Sequence, residues 1–450
     1  MRVLPGPLRR LAGRVEDSPL GSRLARGAFW SLAGAVISRG LMLVAMIVAA
    51  RILGREAFGE LGIIQSTMMM FAAFAGFGLG LTATKHVAEF RETDPERAGR
   101  IIGLSSLVAL CTGGAIAGVV IAIAPWLAAR TLAAPHLAGM LRLGTGIFFF
   151  GALNGAQTGA LAGFEAFKAI AKANLVSGVL AFPLIAGGVY LYGVPGAVGG
   201  LVASHACTWT VNHVALRMVA RRFRVPLALA GCMKEWRVLW HFSLPAALGA
   251  SLTVPVGWIG QAMLVNQANG YAEMGVFAAA AQWRVAICFL PSVLTRPCAP
   301  MLSDLYSQGD RRAFLRVLLG SLALGMAISV GLAAAVALMS RGIMTGYGEE
   351  FAGGYVTLVV LAAAGVAVTA GNVLHPGVVA TGRMWFGLSA RVAWAVAFLL
   401  CAWLLMDRGA LGLALATLIA YGSYLLPAGL VVWYGLRECV RTGASSGGSC

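Results

Sequence analysis

A chain of 450 residues that is 59% hydrophobic and only 11% charged, with 59 glycines, lies outside the range of soluble domains, where about a quarter of residues are charged. A net charge of +17 would point to nucleic acid in a soluble protein, but here the cations gather at the ends of long apolar runs, so nucleic acid is not an expected partner. The composition is that of a polytopic membrane protein.

Residues 1–27 carry Arg2, Arg9, Arg10, Arg14, Arg23 and Arg26 against Glu16 and Asp17, with prolines and glycines between them. This basic tail suits the anionic cytoplasmic face of a bilayer. Twelve apolar spans follow, near 28–50, 60–84, 101–125, 140–162, 173–192, 197–216, 244–266, 275–297, 316–340, 354–378, 386–406 and 410–435. The expected fold class is all-α. The first span holds Arg39, roughly 16 Å along the helix from Ala28 and so near the middle of a ~30 Å hydrocarbon core. A guanidinium cannot shed its charge there, and about 2.5 kcal/mol or more opposes placing it in lipid. It is expected to face a wet cavity or a partner. Ser31, Ala35, Ser38, Met42 and Met46 recur beside it at helical spacing, giving a small, mildly polar face that reads as the lining of a pathway.

Orientation follows from the cations. With the N-terminus in the cytoplasm, most of the 34 Lys and Arg fall in cytoplasmic segments; Arg51, Arg55, Arg130, Arg142, Arg341 and Arg408 lie outside, and Arg39, Arg284 and Arg391 lie within spans. The bias satisfies the positive-inside rule, and an even span count returns the C-terminus to the cytoplasm. None of the eight cysteines has metal-ligand spacing, and they read as small core residues. No metal site and no cofactor are expected.

The chain repeats itself. LGREAFGELGI lies over NGYAEMGVFAA, so that Gly54 meets Gly270 and Gly59 meets Gly275. DPERA (94–98) lies over GDRRA (309–313), VPGAVG (194–199) over DRGALG (407–412), and Asn154, Gln157 and Gly159 over Asn372, His375 and Gly377. Two parallel six-helix repeats are implied, an N-lobe at 28–216 and a C-lobe at 244–436, joined by a cytoplasmic linker at 217–243 and followed by a C-tail at 437–450. Parallel halves are a transporter architecture with the substrate near the midplane.

The runs LARGAFWSLAGAVISRG, ILGREAFGELGI, FGLGLTATKHVAEFRETDPERAGRIIGL and LAGFEAFKAIAKANLVSG resemble the polysaccharide-transport branch of the multidrug/oligosaccharidyl-lipid/polysaccharide (MOP) exporter superfamily. That resemblance covers both halves. It implies a V-shaped pair of six-helix lobes in the bacterial inner membrane that moves an undecaprenyl-diphosphate-linked glycan for lipopolysaccharide or exopolysaccharide synthesis. Membrane lipids and a polysaccharide polymerase or export machinery are the implied partners.

Such a cargo needs fixed cations for its diphosphate and amides or hydroxyls for its sugars. Arginine suits phosphate because its planar fork donates two parallel hydrogen bonds and keeps its charge in the membrane. Arg39 is the first candidate and Arg284 the second, the latter roughly 14 Å into the eighth span on a stripe with Cys288, Pro291 and Thr295. Related lipid II flippases are similar in placing arginines on their first and eighth spans. They carry another on the second, where this chain offers Gln65 and Ser66 instead. A structural ion pair, or an arginine that satisfies backbone carbonyls, is the competing reading for both Arg39 and Arg284. Arg391 lies a turn or two inside the eleventh span, where snorkelling to the headgroups competes with a cavity role. Asn154 with Gln157 and Asn372 with His375 each share a helix face; they either contact sugar, gate the lobes, or tie helices together within a bundle. Gln282 has the same alternatives. Lys85 ends the second span as an interfacial anchor or a first contact for phosphate.

All 17 acidic residues fall in loops, tails or span ends. A cation-coupled multidrug exporter of the same superfamily normally needs a carboxylate within the membrane, so an anionic cargo is favoured over that alternative. A membrane-embedded polymerase or ligase would need a larger outer loop or a carboxylate and histidine constellation than Trp126–Gly139 and Arg341–Gly353 provide. The expected activity is transport, not catalysis.

Overall fold

A computed structural model of the chain describes residues 19–76, 78–227, 231–236, 253–295, 298–381 and 384–445, and every regular element among them is helical. In order these are α1 (Pro19–Ala75), α2 (Leu79–Phe90), α3 (Pro95–Trp126), α4 (Ala138–Gly163), α5 (Phe167–Arg222), α6 (Thr253–Val265), α7 (Gly270–Thr295), α8 (Cys298–Ser307), α9 (Arg311–Leu338), α10 (Ser340–Tyr347), α11 (Tyr355–Ala380), α12 (Met384–Leu404) and α13 (Gly409–Ser445). Nine described helices are long and apolar enough to cross a membrane, and α6 is a shorter apolar helix. The start of the seventh expected span and parts of the expected linker, 228–230 and 237–243, lie outside the described residues, as does most of the N-tail.

Two of the long helices are really pairs. A straight helix of the 56 residues of α5 would be ~84 Å long, far beyond a bilayer core. It turns back at Gly193, whose φ of 60° and ψ of −135° only glycine adopts easily. Its two arms then pack antiparallel: a Cβ on Gly188 would lie 2.3 Å from the Gly196 carbonyl oxygen, and one on Gly200 2.3 Å from that of Leu184. Gly409, between α12 and α13, has φ 58° and ψ −133°, and a Cβ on Gly412 would meet the Leu405 carbonyl oxygen at 1.8 Å. The two halves thus make the same turn from G-x-x-G, with Gly193 matching Gly409 and Gly196 matching Gly412. That is the displacement relating Gly59 to Gly275, so the register of VPGAVG over DRGALG slips slightly. Helix α1 likewise bends at Gly54 (φ 78°, ψ 177°), where Glu350 accepts a hydrogen bond from the Arg55 backbone N–H at 3.1 Å.

The described residues form two compact units. The first draws on Met1–Met46, Phe71–Ala124 and Gly139–Ala250, the second on Ile47–Met70, Pro125–Ala138 and Ser251–Cys450. In the first unit, Gly34 packs against the Ala171 carbonyl and Gly178 against Ser38, so part of the small face of α1 lies against α5. Gly159 of α4 seats on Gly80 of α2, and Thr84 Oγ1 donates to the Gly159 carbonyl at 3.0 Å. At one end of this unit Ala83, Val87, Ile102, Leu161, Phe164, Leu216 and Val225 form an apolar core. Beside it the segment after α5 is clasped to the first turns of α3. Buried Glu235 accepts from Arg97 Nε at 3.2 Å and faces Arg100 Nη2 at 3.5 Å, while Gly99 leaves room for the Pro226 carbonyl.

In the second unit, residues 55–70 of α1 cross α7 in a two-fold fashion. A Cβ on Gly59 would lie 1.8 Å from the Tyr271 carbonyl oxygen, and one on Gly275 2.0 Å from that of Arg55. Gly62 faces Ala278, its repeat counterpart, with 2.8 Å between an added Cβ and the alanine's own. Around this crossing Arg55 pairs with Glu273 and donates from Nε to the Ala272 carbonyl at 3.0 Å. Glu273 also caps α13, accepting from the Ala410 N–H at 2.8 Å. Phe58 packs edge-on against Tyr347 and Phe351, with centroids 6.3 and 6.0 Å apart, sealing the same region.

Branched side chains at the crossing glycines have no free volume. Gly59→Val or Gly275→Val is expected to destabilise the purified protein by about 1–3 kcal/mol or more in thermal unfolding. Gly257→Ala, with nothing within 4 Å of an added Cβ, should leave the midpoint within a degree or so of wild type.

A cationic cluster on four helices and a polar ladder between two

Within the second unit, α7, α11, α12 and α13 bring their polar side chains together. A Cβ on Gly365 of α11 would lie 3.5 Å from Arg284 Cγ, so the glycine leaves room for that side chain, and Cys288 one turn on donates to the Gly365 carbonyl at 3.3 Å. Half-buried Arg284 keeps its Nε buried and without a hydrogen-bond partner among the described residues. Arg391 of α12 extends Nη2 to His375 of α11, 3.1 Å from Nε2 and 3.4 Å from Nδ1. A guanidinium only donates, so the nitrogen it bonds must be the unprotonated one. Both guanidiniums act electrostatically on the Tyr421 hydroxyl of α13, and Arg391 acts on Tyr424 as well. Tyr421 is held by Trp394, its ring 5.2 Å from the indole, which stacks in turn on Phe398 at 5.7 Å. No carboxylate forms an ion pair with Arg284 or Arg391 among the described residues.

Two sequence candidates, Arg284 and Arg391, therefore lie in one group of packed helices, and His375 contacts Arg391 directly. Asn372, on the same helix as His375, is exposed and makes no hydrogen bond among the described residues. Gln282 is half-buried beside Arg284, and Gln65 is half-buried on the second arm of α1. Sequence reasoning passed over Tyr421 and Tyr424, since tyrosines in membrane helices are commonly interfacial; only the arginines opposite distinguish them.

In the first unit, Arg39 is exposed on α1, one position from the Ser38 that packs on α5. Lys85 is exposed on α2. Asn154 and Gln157 of α4 meet the second arm of α5. Asn154 Nδ2 donates to the His205 carbonyl at 3.1 Å and its oxygen accepts from Asn212 Nδ2 at 3.2 Å. Gln157, only 5% exposed, donates to the Trp209 carbonyl and accepts from Trp209 Nε1, each at 3.1 Å. His213 stacks on Trp209 with centroids 5.4 Å apart and brings Nδ1 within 3.3 Å of the Gln157 amide. For Asn154, a tie between helices is therefore what the geometry supplies. His205, Trp209, Asn212 and His213 were not singled out from the sequence, although polar residues spaced by three or four within an apolar span carried the signal.

Residues 24–306 match the family described as "Polysaccharide biosynthesis protein". The chain is 25% identical over 433 residues to the EPS I polysaccharide export inner membrane protein EpsE of Ralstonia nicotianae, covering 92% of this chain and 94% of that one. Among solved structures it is similar to a multidrug resistance MATE family transporter of the MOP superfamily in its inward-facing conformation, with TM-score 0.73 and 16% identity over 93% of this chain and 99% of that one. It is also similar to the lipid II flippase MurJ in an inward closed conformation, with TM-score 0.67 and 13% identity over 91% and 89% of the two chains. The fold is that of the MOP transporters. These relatives are named as export proteins, transporters and flippases, not enzymes.

Because the Asn154 contact crosses helices while Asn372 bonds to nothing described, the two repeat-related asparagines should respond differently to Leu. Asn154→Leu is expected to lower stability by about 0.6–1.7 kcal/mol, and a double-mutant cycle with Asn212→Leu should show coupling of that order. Asn372→Leu should leave thermal stability unchanged within about 0.5 kcal/mol.

Proposed function

The chain belongs to the polysaccharide biosynthesis protein family, and from that membership and its cationic cluster we propose that it is an inner-membrane flippase for a lipid-linked oligosaccharide. The proposed cargo is an undecaprenyl-diphosphate-linked repeat unit destined for a surface polysaccharide, and a polymerase or export machinery would take it on the far side. Both termini are cytoplasmic in this reading, as the cation bias requires. The N-lobe (28–216) and C-lobe (244–436) move by alternating access, with the headgroup held by protein and the lipid tail left in the bilayer.

The observation that carries this reading is Arg284: a guanidinium in a membrane-spanning helix, its Nε buried and without a hydrogen-bond partner among the described residues, where no carboxylate pairs with it or with Arg391. Leaving such donors unpaired costs on the order of 1–3 kcal/mol or more. An anion returns that cost only while bound, which is what a transient cargo requires. Phosphate oxygens fit because they accept several charge-assisted hydrogen bonds at once. Arg39 is proposed as the N-lobe counterpart, with Lys85, Gln65, Asn372 and Gln282 as further polar groups proposed to contact the headgroup or gate its path. The chemistry is pairing alone: the guanidiniums substitute for lost hydration, lowering the barrier to crossing without any covalent step.

Vesicles containing the purified protein and a labelled diphosphate-linked glycolipid test this directly. Loss of one charge-assisted contact, about 1.5–3 kcal/mol, should slow translocation roughly 10- to 100-fold in Arg284→Ala and Arg39→Ala at unchanged protein level. Arg391→Ala should be slowed less, its charge being partly engaged with His375. Arg284→Lys should retain a fraction of the rate, keeping charge but losing the fork. Wild-type rates in both Arg284→Ala and Arg39→Ala would overturn the arginine assignment.

A further inference from the structure

The polar ladder between α4 and the second arm of α5 is not used by the anion site, and its hydrogen-bond polarity has a consequence of its own. The Gln157 amide can satisfy Trp209 in only one orientation, with its nitrogen donating to the Trp209 carbonyl and its oxygen accepting from Trp209 Nε1. In that orientation the atom lying 3.3 Å from His213 Nδ1 is the amide oxygen. An oxygen there is satisfied only if Nδ1 carries hydrogen. The second ring nitrogen, Nε2, is then the basic one, and it makes no hydrogen bond among the described residues. The ring is only half-buried, unlike Gln157 and Asn212 beside it at 5% and 4% exposure.

We propose that His213 is a proton-binding site, with Nδ1–H fixed by Gln157 and Nε2 taking up and releasing the proton. Three groups govern it. The Gln157 oxygen, on α4, strengthens its bond to Nδ1–H when the ring becomes cationic. The Trp209 face, on the same helix as His213, favours a cation stacked on it. Arg217, one turn further along that helix, is the cation spaced four residues from the ring, on the same helix face. Asn154 and Asn212 tie the same two helices together one turn away, and His205 is engaged with the Leu201 carbonyl at 2.9 Å, leaving His213 as the imidazole of the ladder in contact with Gln157. Proton uptake at Nε2 therefore tightens α4 against α5 through Gln157, and release loosens it. This gives the first unit an ionisable group in a membrane-spanning helix that no carboxylate there provides, and it stands apart from the identity of the cargo.

The test uses the full chain in lipid nanodiscs with nitrogen-15 histidine, the proton being the only ligand. One of the six histidine signals, absent in His213→Gln, should titrate within roughly pH 5–8. At high pH it should show the Nδ1–H tautomer. In Gln157→Leu the neutral ring should lose that tautomer preference and the midpoint should fall; in Gln157→Glu and Arg217→Gln the midpoint should rise, by on the order of one pH unit. An Nε2–H tautomer in the wild type, no titration in that range, or midpoints indifferent to both Gln157 substitutions would overturn the proposal. Translocation in the vesicle assay should show a pH step that His213→Gln abolishes. Vesicles in which the wild type moves no glycolipid would count against the flippase reading, while the nuclear resonance result would decide the proton site separately.

Discussion

Helix backbones in this protein touch where side chains are absent, and the rest of the architecture depends on that contact. Between membrane helices hydrocarbon offers no hydrophobic gain, so association relies on close van der Waals packing and interhelical hydrogen bonds. Gly159 over Gly80, Gly188 over Gly196 and Gly59 over the Tyr271 carbonyl provide the first. Thr84 to the Gly159 carbonyl, Thr112 to the Ala75 carbonyl at 3.0 Å and Asn154 to the His205 carbonyl provide the second. At these crossings glycine is a structural requirement, whereas at positions such as Gly257 an added Cβ would meet nothing.

Against this tightly satisfied background the cationic cluster is a departure. Polar groups elsewhere in the membrane helices mostly find partners on a neighbouring helix or on their own preceding turn, as Thr67, Thr369 and Thr417 do with the carbonyl four residues earlier. Arg284 does not. A site that sheds its ligand in every cycle has to tolerate incomplete bonding, and local rules are broken most where function requires it. His375 supports Arg391 in the same spirit, orienting a charge without neutralising it.

Much of this was legible in the chain. Arg284, Arg391, Asn154 and Gln157 stand out because a polar residue in an apolar run is costly and must be accounted for. The glycine turns were legible too, though VPGAVG and DRGALG align by similarity of residues slightly out of the register that the backbone uses, since φ and ψ at Gly193 and Gly409 fix it and residue type does not. Tyr421 was hidden because its environment comes from α7 and α12, remote in sequence. Glu235 was hidden for a related reason: an acid in a basic loop looks solvated until Arg97 and Arg100 are seen to enclose it. Asn154 and Asn372 looked equivalent by repeat, yet only the first has an asparagine opposite it, because the halves share backbone and not decoration.

That distinction is sharpest where α1 crosses α7. The backbone there obeys a two-fold axis, with Gly59 and Gly275 trading places and Gly62 facing Ala278. The ion pair does not: the counterpart of Arg55 is Tyr271, and the counterpart of Glu273 is Ala57. A duplicated scaffold has thus acquired a handed fastening, in which one flank of the junction is bridged by an ion pair sensitive to ionic strength while its counterpart, with Tyr271 and Ala57 in place of Arg55 and Glu273, has no such bridge. Mechanical opening of such a joint would begin as a hinge at its charged flank instead of a clean separation along the axis.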